Sequence, residues 1–421
     1  METKPKVAIH TLGCKLNQAE SELLARKFTE AGCTMANGEK ADICVVNTCT
    51  VTHIADRKSR HLVRLLRRRN QGALIVATGC YVHRMPQALA QVGADLIVDN
   101  EQKPDLVKLI IDRCIPTAGL AVSGAGGIQR IRSFIKIQDG CSSACAYCVV
   151  PQVRRREYSL PVDEIVDMIK GRVADGYHEV VLTGTKIGTY NYEGIDLRHL
   201  LERILAETEV VRLHLSSLQP QEISPELLGL WLSPRLCRHF HLALQSGSDI
   251  VLKRMRRRYS IDDYMRAVSL IRQLVPAVAI TTDIMVGFPG ESDAEFEESY
   301  NFCRGMGFAD IHVFAYSARP GTVAVGMQRQ VRDKVKKERT LKMLELAQQA
   351  TAEFAEKLLG RTTLILWENE VTPGSGVYSG LSDNYVRVFT QSYELLTNRL
   401  LPTKLLRVQE QGLWGKVIDE D

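Results

Sequence analysis

A chain of 421 residues is too long for one small core, and at roughly 100 to 200 residues per unit it should divide into two or three domains. Hydrophobic residues at 45% and charged residues at 24% are ordinary globular values and exclude a low-complexity or disordered chain. No run of about 18 apolar residues occurs and none follows Lys4 and Lys6, so the expectation is a cytoplasmic protein with no membrane partner.

Taken in order, strand-like apolar runs at residues 7–11, 42–47, 74–78 and 96–98 alternate with helical patterns such as 19–31. They predict an α/β block with a small doubly wound parallel sheet. The net charge of +5 is uneven, with 17 Lys and Arg against 12 Asp and Glu in residues 1–122. Much of the surplus lies in Arg57, Lys58, Arg60, Arg64, Arg67, Arg68 and Arg69, interleaved with Leu62, Val63, Leu65 and Leu66. That is a basic amphipathic helix, and it is read as a phosphate-binding stripe rather than a merely solvated face. Residues 118–127, rich in Gly, Ala and Ser, read as a linker.

Six strand and helix pairs follow, with strands at 134–138, 179–183, 211–216, 239–245, 278–285 and 310–316, which predicts a partial (β/α)6 barrel. A charged helix over 329–359 ends at Gly360. Short β-type runs such as 363–367, 385–390 and 404–408 then alternate with Gly, Pro and Asn turns, suggesting a small β-barrel. The expected domains are therefore 1–122, 128–360 and 361–421. The last is an unpromising polyanion binder by charge, with 6 Lys and Arg against 8 Asp and Glu. The basic loops Arg154 to Arg156 and Lys253 to Arg258 extend the phosphate-binding surface or simply add solubilising charge.

Eleven cysteines in a reducing compartment point to metal ligation or catalysis rather than disulfides. Cys141, Cys145 and Cys148 form a C-x3-C-x2-C group at the end of the first barrel strand, after Asp139 and Gly140. Three thiolates on one loop can hold three irons of a 4Fe-4S cluster and leave the fourth open. An open iron can chelate the amino and carboxylate groups of S-adenosylmethionine (SAM) and pass an electron to its sulfonium. Half of a zinc site is the rival, but zinc usually takes paired C-x2-C groups. Cys14, Cys49 and Cys80 each follow a strand of the first block, and the carboxyl ends of parallel strands share one edge. They either converge on a second cluster or are buried free thiols. Cys33, Cys44, Cys114, Cys237 and Cys303 share no placement and are expected to pack, and His10, His53 and His241 to pack or hydrogen-bond.

Several motifs stand in one order: Thr11-Leu-Gly-Cys-Lys-Leu-Asn-Gln18 with Glu20, Asn47-Thr-Cys-Thr-Val-Thr52, the Cys141 group followed by Val149-Val-Pro151, Arg212-Leu-His-Leu-Ser-Ser-Leu218, Leu244-Gln-Ser-Gly-Ser-Asp249 and Gly287-Phe-Pro-Gly-Glu291. Together they resemble the radical SAM methylthiotransferase family over nearly the whole chain. The resemblance implies an enzyme with two 4Fe-4S clusters, an auxiliary one on Cys14, Cys49 and Cys80 and a catalytic one on Cys141, Cys145 and Cys148. It also implies SAM as cosubstrate and a TRAM-like RNA-binding C-terminal barrel. One SAM would methylate a sulfur at the auxiliary cluster; a second would be cleaved to a radical that takes hydrogen from an adenine, before the methylated sulfur bonds to its carbon 2.

Cys14 to Gln18 and Thr50 to Arg60 resemble the MtaB-type branch, which acts on threonylcarbamoyl-adenosine beside the anticodon, whereas the isopentenyl-adenosine branch usually shows Gln and Met after its first cysteine. The implied partners are the tRNA anticodon arm, contacted by Arg57, Lys58, Arg60, Arg64, Arg67 and Arg68, and an electron donor such as flavodoxin or ferredoxin; the chain itself is expected to be a monomer. Isopentenyl-adenosine tRNA and a ribosomal-protein aspartate remain rival substrates, and a non-catalytic iron-sulfur RNA-binding protein the rival class. Two departures concern RNA contacts: Arg154 to Arg156 replace the family's arginine-glycine pair, and Ser375 to Asn384 lacks its Gly-Tyr-Thr run.

Barrel enzymes build their sites on the carboxyl ends of strands. This nominates Thr183, Gly184, Thr185, Ser216, Ser217, Gln245 and Asp283 for SAM, with Gly287, Gly290 and Glu291 in the turn after the fifth strand. Each is alternatively a strand-end turn or cap.

Overall fold

The computed structural model describes residues 4–36, 40–114 and 131–418, so the expected linker at 118–127 lies outside the described residues. Strands β1 (Lys6–Thr11), β2 (Thr34–Met35), β3 (Ile43–Thr48), β4 (Leu74–Gly79) and β5 (Leu96–Val98) form a parallel sheet in the order β2-β1-β3-β4-β5. Every residue of β3 is buried, as a central strand covered on both faces requires. On one face α1 (Lys15–Glu30) and α5 (Leu106–Cys114) set Leu24, Phe28, Leu106 and Ile110 against Val7, Val45 and Val76. On the other, α2 (His53–Arg69), α3 (Cys80–Arg84) and α4 (Pro86–Ala90) bring Val63, Leu66, Tyr81 and Leu89 to Val46 and Ile75. Helix α2 begins where the Thr52 hydroxyl accepts from the Ala55 N–H at 3.1 Å, and Arg67, Arg68 and Arg69 close it against the negative end of its dipole.

The six expected barrel strands are present: β6 (Arg132–Asp139), β8 (Glu179–Gly184), β11 (Arg212–Leu215), β12 (His239–His241), β13 (Ala279–Val286) and β14 (Asp310–Ala315). They stand side by side in chain order, as sheets β6-β8-β11 and β12-β13-β14 joined by parallel bridges at Leu213 with Leu236 and Leu218 with Leu242. Two-residue β7 (Tyr158–Ser159) runs antiparallel on β6, and β9 (Asn191–Tyr192) pairs with β10 (Ile195–Asp196) as a hairpin. Strand β12 stops at His241 instead of reaching 245, although Gln245, left-handed at φ +73°, still bridges Ile284 of β13. Amphipathic helices α7 (Val162–Ala174), α8 (Leu197–Glu207), α11 (Ile261–Leu274) and α12 (Asp293–Met306) cover the outside and share one core with the strands, while α6 (Val150–Val153), α9 (Pro225–Leu228) and α10 (Asp249–Arg254) are short connecting turns.

Helix α13 (Asp333–Glu356) leads past Gly360, at φ +77°, into a closed barrel of β15 (Thr362–Glu370), β16 (Val377–Ser382), β17 (Arg387–Gln391), β19 (Gly412–Val417) and β18 (Leu400–Gln409). Strands β16 and β19 are absent from the sequence expectation because their glycines read as turns. At Gly380 the strands pass so closely that a Cβ would sit 2.7 Å from the Leu366 carbonyl.

The small barrel docks on the amino ends of the large one. Arg132 donates to Glu368 at 2.9 Å, Arg212 to the Leu381 carbonyl at 3.0 Å and Arg238 to Asp383 at 2.6 Å. Part of its acidity therefore faces protein, and the divergent segment ending at Asn384 is a domain contact. No helix among the described residues is long and apolar enough to cross a membrane.

Candidate active site

The register of the N-terminal sheet pairs Thr11 with Asn47 and Asn47 with Thr78, so the chain leaves β1, β3 and β4 at one edge. Cys14, Cys49 and Cys80 come together there, each thiol within electrostatic reach of another. Gly13, at φ +104°, makes room: a Cβ on it would lie 2.8 Å from the Cys49 sulfur. Asn17 ties two of the strand ends, donating to the Leu12 carbonyl after β1 at 2.7 Å and to the Thr48 carbonyl of β3 at 3.0 Å. Burial pushes the Cys49 thiol up to about 12, and a metal bound there must displace that proton.

Cys141, Cys145 and Cys148 lie on the loop after β6, again within mutual electrostatic reach. The Ser143 N–H points at the Cys141 sulfur at 3.4 Å and Arg257 Nη1 at the Cys145 sulfur at 3.3 Å. Both groups are three-thiol sets with no fourth cysteine beside them among the described residues, the donor chemistry of a four-iron cluster with one open iron. They adjoin each other. Cys80 packs with Val149 and Val153, and Val149 directly follows Cys148.

Arg154 corrects the expectation that Arg154 to Arg156 form a basic surface. Its side chain is 3% exposed and donates to Glu20 and Asp139 at 2.8 Å and to Asn17 at 3.0 Å. Lys103 meets Glu20 at 2.5 Å and Lys136 meets Asp139 at 3.0 Å. Burial alone would raise the Glu20 carboxyl, but Arg154, Lys103 and Lys136 hold it well below the usual range. This buried ionic cluster joins α1 to the strand and helix that flank the Cys141 loop.

A cavity of about 810 Å³ opens between the three units. Cys14, Cys49 and Cys80 line it together with Thr183, Gly184, Thr185, Ser216 and Ser217 from the barrel rim. Of the other residues nominated for SAM, Gln245 and Asp283 lie off that wall, and the Glu291 carboxylate is turned to the Gly287 N–H at 2.9 Å and to Arg339 at 2.7 Å. Asp283 binds His241 at 3.2 Å and His312 at 3.3 Å. The Asp283 and Asp310 carboxylates raise the His312 imidazole to about 9. As expected, His241 hydrogen-bonds within the fold. Cys237 and Cys303 pack in the core, as do Cys33 and Cys44.

Sequence reasoning missed the far end of the cavity. Tyr385, from the turn before β17, stacks on His214 and His239 at ring distances of 4.3 and 4.8 Å, and its hydroxyl accepts from Arg132. The Lys15 ammonium lies 5.1 Å from the centre of the same ring; burial and then the Arg132 guanidinium lower it to about 8. These residues are scattered over 370 positions of sequence, and only Lys15 and His214 stand inside the family motifs.

On the basic helix, Arg57, Lys58, Arg64 and Arg68 are exposed, whereas Arg60 turns inward to the Tyr81 hydroxyl. Arg67 caps the carbonyls of Ala73 and Gly93 at 3.0 and 3.1 Å and pairs with Asp95.

Comparison with known proteins matches residues 135–303 to the radical SAM superfamily and residues 6–99 to the uncharacterized protein family UPF0004. The threonylcarbamoyladenosine tRNA methylthiotransferase MtaB of Bacillus subtilis is 33% identical, the match covering 99% of this chain and 97% of that protein. The protein of the same name from Aquifex aeolicus is 36% identical over 92% of this chain and 97% of its own length. Among solved structures, the radical S-adenosylmethionine methyltransferase TsrM of Kitasatospora setae, with cobalamin and a [4Fe-4S] cluster bound, superposes with a TM-score of 0.57 at 16% identity, over 90% of this chain and 81% of that one; this likeness concerns the fold. Near-full-length identity above 30%, on a fold that gathers six cysteines into two adjoining triads, places the chain in the radical SAM methylthiotransferase family, as an enzyme of the MtaB type.

Proposed function

We propose that this enzyme adds a methylthio group to carbon 2 of threonylcarbamoyl-adenosine beside the anticodon of tRNA, in the cytoplasm, as a monomer divided into units 1–122, 128–360 and 361–421. The observation that carries this reading is the packing of Cys80 with Val149, which sets the three-thiol group that lines the cavity beside the loop that carries the other three thiols. Clusters held by Cys141, Cys145 and Cys148 and by Cys14, Cys49 and Cys80 supply, when bound, the electron that splits SAM and the sulfur that is transferred.

The remaining work falls to the chain itself, and it is placement. Asn17, Glu20 and Arg154 hold the first thiol group against the second. Thr183, Gly184, Thr185, Ser216 and Ser217 offer hydroxyls and backbone to the polar ends of SAM on the wall shared with Cys14, whereas Gln245, Asp283, Gly287 and Glu291 lie off that wall. Arg257 sets its guanidinium against Cys145 and favours negative charge on that sulfur. The C-terminal barrel closes the other end of the cavity with Tyr385 and keeps bulk water from the reacting base. Arg57, Lys58, Arg64 and Arg68 neutralise phosphates of the anticodon arm, and a flavodoxin or ferredoxin supplies electrons.

Nucleoside mass spectrometry tests the reading. Cells lacking the protein should lose 2-methylthio-threonylcarbamoyl-adenosine from their tRNA and regain it on complementation; an unchanged level rejects the assignment.

A further inference from the structure

Resting on the function just proposed, we propose that Lys15 is the specificity-determining residue of the cavity, its ammonium taking the carboxylate that the threonylcarbamoyl group carries. Lys15 follows Cys14 at the start of α1 and lines the same cavity as the three thiols. Lys15 is half-buried, and four other buried or half-buried cations have carboxylate partners: Lys103 has Glu20 at 2.5 Å, Lys136 has Asp139 at 3.0 Å, Arg132 has Glu368 at 2.9 Å and Arg319 has Asp56 at 2.6 Å. Among the described residues Lys15 has none; its ammonium lies over the face of Tyr385. The carboxylates that feel its charge, Glu179 and Asp283, lie beyond ion-pair reach and are held by Arg212 at 3.1 Å and by His241 and His312.

A cation partly withdrawn from water with only an aromatic face for company is costly, and cation–π attraction offsets only part of that cost. The arrangement makes physical sense when an anion arrives with the ligand. The ligand must also bring its reacting carbon to the Cys14 group, so the anion has to sit on the modified base itself. Threonylcarbamoyl-adenosine has one, a free carboxylate on its N6 substituent; an isopentenyl substituent has no charge and would leave the ammonium unmatched. Discrimination by an unpaired buried charge is stronger than discrimination by shape, because the wrong substrate strands a polar group.

The test uses the reconstituted full-length enzyme and two anticodon stem-loop RNAs, one with the threonylcarbamoyl carboxylate free and one with it converted to the carboxamide. Wild type should favour the free acid by roughly 10- to 100-fold in kcat/KM, as a charge-assisted hydrogen bond in a buried site allows. Lys15→Gln should bring the two RNAs within about threefold of each other, mostly by losing the acid, and Lys15→Arg should restore most of the preference. Iron content and thermal melting report on folding, and the Lys15→Arg comparison stands if the glutamine variant does not fold.

Preference for the acid that survives in Lys15→Gln overturns the proposal. So does an equal loss on both RNAs with a raised KM for SAM, which would give Lys15 to the cosubstrate's carboxylate. Wild-type enzyme that leaves the free-acid RNA unmodified sinks the functional reading itself and this inference with it, whereas modification of both RNAs at equal rates sinks the inference alone.

Discussion

Cys141, Cys145 and Cys148 share one loop after one strand, whereas Cys14, Cys49 and Cys80 reach each other only because β1, β3 and β4 are neighbours in register. The first group is set by local chain geometry and would survive considerable disturbance elsewhere. The second is a property of the sheet, and it needs Gly13, Asn17 and the ionic cluster at Arg154 to stay closed. One enzyme thus combines a local metal site with a distributed one, and variants should separate them.

The largest effect is expected at the local group. Cys145→Ala should abolish release of 5′-deoxyadenosine from SAM by the dithionite-reduced protein, a loss of at least about a hundredfold, because removing one of three thiols leaves the radical cluster without its anchorage. Continued release would take the radical chemistry away from this loop. Replacing Cys14, Cys49 and Cys80 together should instead lower iron from about eight to about four per chain, as expected for two four-iron clusters. A wild-type plateau near four would remove the second cluster.

The junction between the groups comes next. Arg154→Met removes the cation that bridges Glu20 and Asp139 while Lys103 and Lys136 still pair with them, and should cost roughly 1–3 kcal/mol in denaturant unfolding, as expected for lost charge-assisted hydrogen bonds in a buried site. Combining it with Glu20→Gln should add to the loss, because Lys103 then loses its buried carboxylate partner. If Arg154→Met unfolds at the wild-type midpoint, the cluster is not what holds the two thiol groups together.

The same contrast explains what could be read from the residues alone. The six barrel strands and the Cys141 loop were legible because period-2 and period-3.6 patterns and a C-x3-C-x2-C spacing are local signals. Cys14, Cys49 and Cys80 could be placed on one edge only by assuming a parallel sheet. Arg154 looked like its neighbours Arg155 and Arg156, because nothing in a run of arginines tells which one a distant Glu20 will claim. Tyr385 and Lys15 meet from the last and first units, and glycines in β16 and β19 resembled turns until the strands closed around them.

The basic helix sharpens the comparison at the smallest scale, since there too sequence grouped residues that the fold divides. Arg57, Lys58, Arg64 and Arg68 point to solvent, so each alanine substitution should weaken tRNA binding only a few-fold and lower the slope of log K against log salt by about one. Arg67 spends its guanidinium on the Ala73 and Gly93 carbonyls and on Asp95. Arg67→Ala should therefore leave affinity and salt slope unchanged while lowering the melting temperature by a few degrees, as expected for roughly 1 kcal/mol in a domain of this size. Equal losses of affinity at Arg64 and Arg67 would mean that binding follows the net charge of the helix rather than its exposed stripe.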